Sequence, residues 1–227
     1  MTPSGGQPMR ALWSGLRRRA DGPAEIIADL IRLLALPCIV VAGIGWGVQG
    51  ALSLAFIGLV MLLPRALDVR PGFDIAFGIL ALVSVWSSVT DLYVTVKWWD
   101  LPMHFAVTGL GAALLYLILV RFGIVADHLT LPHPRLSAAV VTAALGTSLA
   151  ALWEMWEWVA KNYIDETTYV GYTDSIGDLV WGLIGSVLAG LAMPWFAARP
   201  RRSRADDGAA TSGSSSATDG PPSRSTR

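Results

Sequence analysis

Charge is scarce in this chain. Only 15% of its 227 residues are Asp, Glu, Lys or Arg, while 53% are hydrophobic. A soluble domain needs more polar surface than that, and a mean hydropathy of +0.52 points to lipid as the solvent. Cysteine is nearly missing too. A single Cys38 excludes a disulfide framework or a Cys-based metal site within one chain, and its apolar setting reads as a small buried hydrophobe. The 17 basic and 17 acidic residues cancel, but that average misleads, because the charges sit mainly at the ends and in the loops; no nucleic-acid partner is expected. A cleaved leader is not expected either. Arg17, Arg18 and Arg19 precede the first apolar run, but Glu25 and Asp29 intervene and the run is long, so it reads as a retained helix.

What is present is a series of apolar stretches, at approximately 30–48, 50–64, 74–96, 101–121, 136–159 and 176–197. A helical span needs about 20 mostly apolar residues. Five stretches reach that length; 50–64 is short and forms a tight hairpin with the first through Gly45, Gly47 and Gly50. Backbone polar groups must be satisfied internally in a bilayer, so each span is read as helix. The expected fold is all-α, a polytopic membrane protein with a bundle of six transmembrane helices over residues 26–198. Residues 1–25 read as a basic cytoplasmic tail, with a surface-lying segment around Trp13 and Leu16 as the alternative. Residues 199–227, rich in Ser, Gly, Ala, Asp, Pro and Thr, read as a disordered cytoplasmic tail.

Lys and Arg set the orientation. With the N-terminus inside, the outer loops hold only Lys97 and Lys161, and the other 15 of the 17 basic residues fall inside. Trp46, Trp98, Trp99, Trp156 and Trp158 fall near the outer interface. The expectation is a multi-pass plasma (inner) membrane protein with both termini cytoplasmic.

Ionisable residues within spans are informative because each costs roughly 2.5–3.5 kcal/mol at a helix centre. Five are expected there: Asp91, His104, Glu154, Glu157 and Asp178. At a rise of about 1.5 Å per residue, Asp91 lies about 7 Å inside the outer end of its span, and His104 and Asp178 about 5 Å. On the same rise Glu157 and Glu154 lie about 6 and 10 Å below Lys161. All five share one shelf in the outer half, and no comparable residue is expected in the middle or inner part of any span.

Plainer roles compete for these side chains. Asp100, before Leu101-Pro102, suits a helix N-cap, and so does Asp174 with Ser175. Glu157 and Lys161 are spaced for an ion pair, and His104 for a bond to Asp100 one turn back. Against that, Asp100/His104, Glu154/Glu157 and Asp174/Asp178 are each three or four apart, so three helices each offer two ligands toward one level. Carboxylates that close cannot all stay ionised without a cation or shared protons. One imidazole among them suits Zn, Fe or Mn better than Ca. The assignment is His104, Glu154, Glu157, Asp178 and Asp174 as metal ligands, with Asp91 or Asp100 as general base.

Other chemistries fit less well. A metal-free phosphatase wants more basic groups than two lysines and one histidine. A kinase needs ATP, which the outer face lacks. Ser87, Ser88 and Thr90 offer hydroxyls near Asp91, with no elbow motif around them. A cation- or proton-coupled transporter needs a path inward, for which Thr142 and Thr147 are the few polar candidates. A scaffold braced by polar contacts is the third reading. The enzyme reading takes a lipid or other amphiphile at the outer leaflet as substrate and leaves the oligomeric state open.

Three segments carry a resemblance. Asp100-Leu-Pro-Met-His104-Phe105 with Gly109 resembles the D-x-x-x-H-F…G signature of the YjdF-like family of bacterial inner-membrane proteins, a domain of unknown function. Trp153-Glu154-Met-Trp-Glu157-Trp158 resembles its W-E-x-x-E-W segment, and Asp174-Ser-Ile-Gly-Asp178-Leu179 with Gly185 its D-x-x-x-D-L…G segment. The likeness spans approximately residues 90–190. The chain is more distantly similar to the VanZ-like family, but lacks that family's arginine before the last Asp, so its functions do not carry over. The resemblance implies an acidic and histidine site without naming its reaction.

Overall fold

A computed structural model describes residues 7–164, 166 and 170–197. The chain forms α1 (Gln7–Arg17), α2 (Pro23–Val60), α3 (Leu62–Ala66), α4 (Pro71–Val89), α5 (Leu92–Thr95), α6 (Asp100–Arg121), α7 (Pro134–Tyr163), α8 (Tyr172–Leu191) and α9 (Met193–Phe196). A 3-10 turn, His128–Thr130, lies between α6 and α7, and no strand occurs among the described residues. Pro23, Pro71 and Pro134 open α2, α4 and α7, where a missing N–H is harmless and the fixed φ is already helical.

Among the described residues five segments are long and apolar enough to cross a membrane, and the longest, Pro23–Ala66, has 44 residues. Straight, it would extend about 66 Å, twice the hydrocarbon thickness. It doubles back instead. Gly47 leaves helical geometry at φ 76°, ψ −166°, which a side chain would resist. On either side of it the chain runs antiparallel: Gly43 faces Ala51, Gly58 faces Ala35, and Arg32 Nε donates to the Met61 carbonyl at 3.0 Å. Ala28, Ala35 and Ala42, seven apart, line the buried face of the first arm and let the second approach. With α3 continuing past Met61, the second arm reaches about 28 Å. The expected hairpin is thus present, and with its two arms counted separately the five segments agree with a bundle of approximately six spans.

Contacts sort the loops into two ends. At one, Arg70 N–H donates to Phe196 O, Arg18 pairs with Asp68, and Arg135 lies over the Trp195 ring. At the other lie Gly47, the Trp46–Trp86 edge contact, the α4–α6 link and the first turns of α6 and α8. Ile44, Phe56, Val140 and Leu152 point outward from the bundle, as lipid-facing side chains do.

Helices α6 and α8 run parallel, with α7 antiparallel beside both. A side-chain carbon at Gly109 would fall 2.8 Å from the Gly185 backbone, so these two helices touch main chain to main chain. Gly146 of α7 packs more tightly still on Ser186 of α8, with Ala112 of α6 beside it. This three-helix unit positions the site.

Some boundaries differ from the expectation. Residues 7–17, expected as part of a basic tail, form a helix whose Gly15 sits on the α3 backbone. The third span ends at Val89, not 96, because the chain turns at Asp91 in left-handed geometry, φ 55°. The C-terminal tail 199–227 lies outside the described residues.

Candidate functional site

The parallel crossing of α6 and α8 brings their first turns together. His104 Nε2 lies 3.3 Å from Asp100 Oδ1 on its own helix and 3.8 Å from Asp178 Oδ2 on α8. One ligand atom from each of the three falls within 4.8 Å of the others. Asp178 is 1% exposed, and neither of its carboxylate oxygens has a hydrogen-bond donor. Glu154 Oε1 is buried and unpartnered as well. Buried acceptors almost always find donors, so three orphaned oxygens at one level mark a feature that packing alone does not explain.

The capping roles do not apply. α6 begins at Asp100 itself, with Trp99 in the cap position, and α8 begins at Tyr172 after Gly171; neither helix has a side-chain cap bond. Asp100 and Asp174 sit in first turns, where the positive helix end favours negative charge. The ion pair expected for Glu157 is replaced: its Oε1 accepts from Trp153 Nε1 at 2.8 Å. His104 does approach Asp100, but it approaches Asp178 with the same nitrogen.

Of the seven residues singled out in the sequence, Asp100, His104 and Asp178 form the tight cluster. Glu157 lies within electrostatic range of His104 and Asp100, and Glu154 and Asp174 within range of Asp178. Asp91 stands apart, exposed on the turn after α4, where its carbonyl caps Val94 and Thr95. Among the described residues no Lys or Arg pairs with the cluster, so five carboxylates face one imidazole.

Tyr93 escaped the sequence reading. Its hydroxyl donates to Ser84 O at 3.1 Å, and burial, then the nearby Asp100 charge, pushes its phenol above the ordinary 10, keeping it protonated. Beside it Trp99 Nε1 donates to Ser87 Oγ at 2.9 Å, and Ser87 donates to Val83 O at 2.7 Å. Ser87 is therefore tied on both sides and is no free nucleophile.

The halves of the spans away from this cluster, expected to be free of charge, are not. Arg32, 9% exposed at its side chain, pairs with Asp29 and Asp74, and Asp74 is 10% exposed. Arg65 lies 3.4 Å from Asp29 and 4.0 Å from Glu25, and Arg18 binds Glu25 at 2.7 Å and Asp68 at 3.0 Å. Read singly, these residues look like loop charges at span edges. Only the docking of α1 on α3 and of the hairpin on α4 closes them into a network. Each charge has an opposite partner, which marks a structural tie, not an open site. Of the proposed inward path, Thr142 is buried with an unpartnered hydroxyl, while Thr147 is exposed and bonded to Ala143 O.

A family model described as "Predicted membrane protein (DUF2238)" matches residues 28–199. No curated protein matches. No solved structure matches either.

Proposed function

The chain belongs to that family of predicted membrane proteins, and on this premise we propose that its α6–α7–α8 unit holds a divalent cation for chemistry on an amphiphile. Asp178 carries the reading. A carboxylate 1% exposed, with both oxygens unpartnered, sits beside His104 Nε2 and Asp100. An isolated buried carboxylate is costly unless a proton or cation compensates it. His104, Asp178 and Asp100 are the ligands. Glu154, buried with Oε1 unpartnered, supports these ligands from outside the tight group, and Glu157 and Asp174 add negative charge around it. One imidazole with carboxylates suits Zn, Mn or Fe.

Such an ion would polarise a phosphoryl or carbonyl oxygen and lower the pKa of a bound water. The protein's part is orientation. The paired first turns of α6 and α8 fix three donors on rigid backbone, and the exposed tryptophans 153, 156 and 158 fit the membrane interface beside them. With 15 of 17 basic residues at the opposite end or in the terminal segments, the positive-inside rule turns this cluster outward, with both termini in the cytoplasm. The substrate then presents its polar head from the outer leaflet.

The test is elemental mass spectrometry on detergent-purified protein, wild type beside His104→Ala and Asp178→Asn. About one equivalent of Zn, Mn or Fe in wild type, lost in both variants, is the expected result. No metal in wild type after incubation with each ion overturns the reading. The contacts of His104 with two carboxylates would then stand as a proton-sharing brace between α6 and α8.

A further inference from the structure

A cavity of about 310 Å³ lies between the first arm of α2, the outer half of α4 and the link to α6. Leu34, Cys38, Leu82, Val83, Trp86 and Leu92 form most of its wall, with Ser87, Thr90 and Trp99 at one end. The polar atoms at that end are all engaged within the protein. Ser87 donates to Val83 O and accepts from Trp99, and Thr90 donates to Trp86 O. Apart from the Trp86 indole N–H, the Thr90 hydroxyl oxygen and the weak Cys38 thiol, the wall offers a ligand only hydrocarbon. The cavity therefore selects an apolar occupant.

Its direction is informative. From Leu82 to Thr90 along α4 is eight residues, about 12 Å at the helical rise. One leaflet of hydrocarbon is about 15 Å deep. The wall thus runs from mid-bilayer to the outer end of the bundle and finishes at Trp99, the residue before Asp100. Tyr93 joins the two regions, since its hydroxyl reaches back to α4 while the charges of Asp100 and Glu157 act on it. The volume is at the low end of the range for ligand sites, about 300–1,000 Å³, which suits one alkyl chain rather than a whole lipid.

We propose that this cavity receives one alkyl chain of the amphiphile whose polar head lies at the Asp100–His104–Asp178 cluster. The proposal deepens the metal-site reading and rests on it for the identity of the head site. It makes the substrate a chain-bearing lipid held by its tail along α4, and makes chain length a determinant of binding.

The experiment uses the full chain in vesicles of phosphatidylcholine and phosphatidylglycerol containing a phospholipid with a diazirine near the end of one acyl chain. After irradiation, mass spectrometry maps the adducts. The expected result is several-fold more adduct on the Cys38, Leu82 and Trp86 segments than on the lipid-facing Ile44 and Phe56 segments. Cys38→Trp, which fills the cavity, should abolish that excess and leave metal content at the wild-type level. Equal labelling of cavity and lipid-facing segments overturns the proposal, and so does an excess that persists in Cys38→Trp. If Cys38→Trp fails to fold, Val83→Trp fills the same space from the other wall. Metal content is read separately, so loss of the tail site and loss of the head site are distinguishable.

Discussion

Asp178 and Glu154 differ in what surrounds them, and substitution should separate them. Asp178 sits at the centre of the cluster with both oxygens unpartnered, so Asp178→Asn removes a ligand charge and should reduce bound metal to background. Glu154 lies outside the 4.8 Å group, and Glu154→Gln should weaken metal affinity by about 10–100-fold, as supporting groups do. Titration of the apo protein with Zn or Mn in detergent measures both. Equal effects of the two variants would place Glu154 among the direct ligands. Arg32→Met should behave differently, because it strands Asp74 at 10% exposure. Removing one partner of a buried pair costs roughly 3–5 kcal/mol. The double variant Arg32→Met with Asp74→Asn should recover much of that in thermal unfolding, while either single change lowers the midpoint and leaves metal content unaltered.

At the level of elements, the α6–α8 contact does the positioning. Gly109 and Gly185 let the backbones meet, five residues, or about 8 Å, inward of His104. Gly109→Leu should force the helices apart at a cost of about 1–3 kcal/mol. Because the same contact sets the His104–Asp178 separation of 3.8 Å, metal loading should fall with stability, although Gly109 carries no ligand. Scanning fluorimetry with metal analysis on one sample tests this. Normal loading in a folded Gly109→Leu protein would show that the cluster forms independently of the crossing. The α2 hairpin rests on another device, the positive φ of Gly47, which lets a 44-residue apolar run enter the bundle as two arms.

For the whole molecule, the separation of charge types between the two ends is the main fact. Arg18, Arg32 and Arg65 join acidic partners at one end, and the imidazole cluster stands among carboxylates at the other. In a Cys38→Ser background, single cysteines at Lys97 or Thr173 should react with a membrane-impermeant maleimide added to intact cells, and one at Asp68 only after lysis. The reverse pattern would place the acidic cluster in the cytoplasm and remove the outer-leaflet substrate from the proposed function.

Composition and the spacing of apolar runs were enough to determine a helical membrane bundle, because a bilayer permits a buried backbone no other open architecture. The Gly45–Gly50 turn was legible for the same reason: an apolar run too long for one crossing must fold back. His104 and Asp178 were legible as ionisable residues where charge is expensive, and Asp100 through its four-residue spacing from His104. Which of seven candidates converge was not. That depended on the parallel crossing of α6 and α8, on helix starts that deny Asp100 and Asp174 their capping role, and on a chain turn that carries Asp91 out of the bundle. The Arg32–Asp74 pair and the cavity behind Tyr93 were illegible too, since each joins residues far apart in sequence whose contact exists only once the helices have packed.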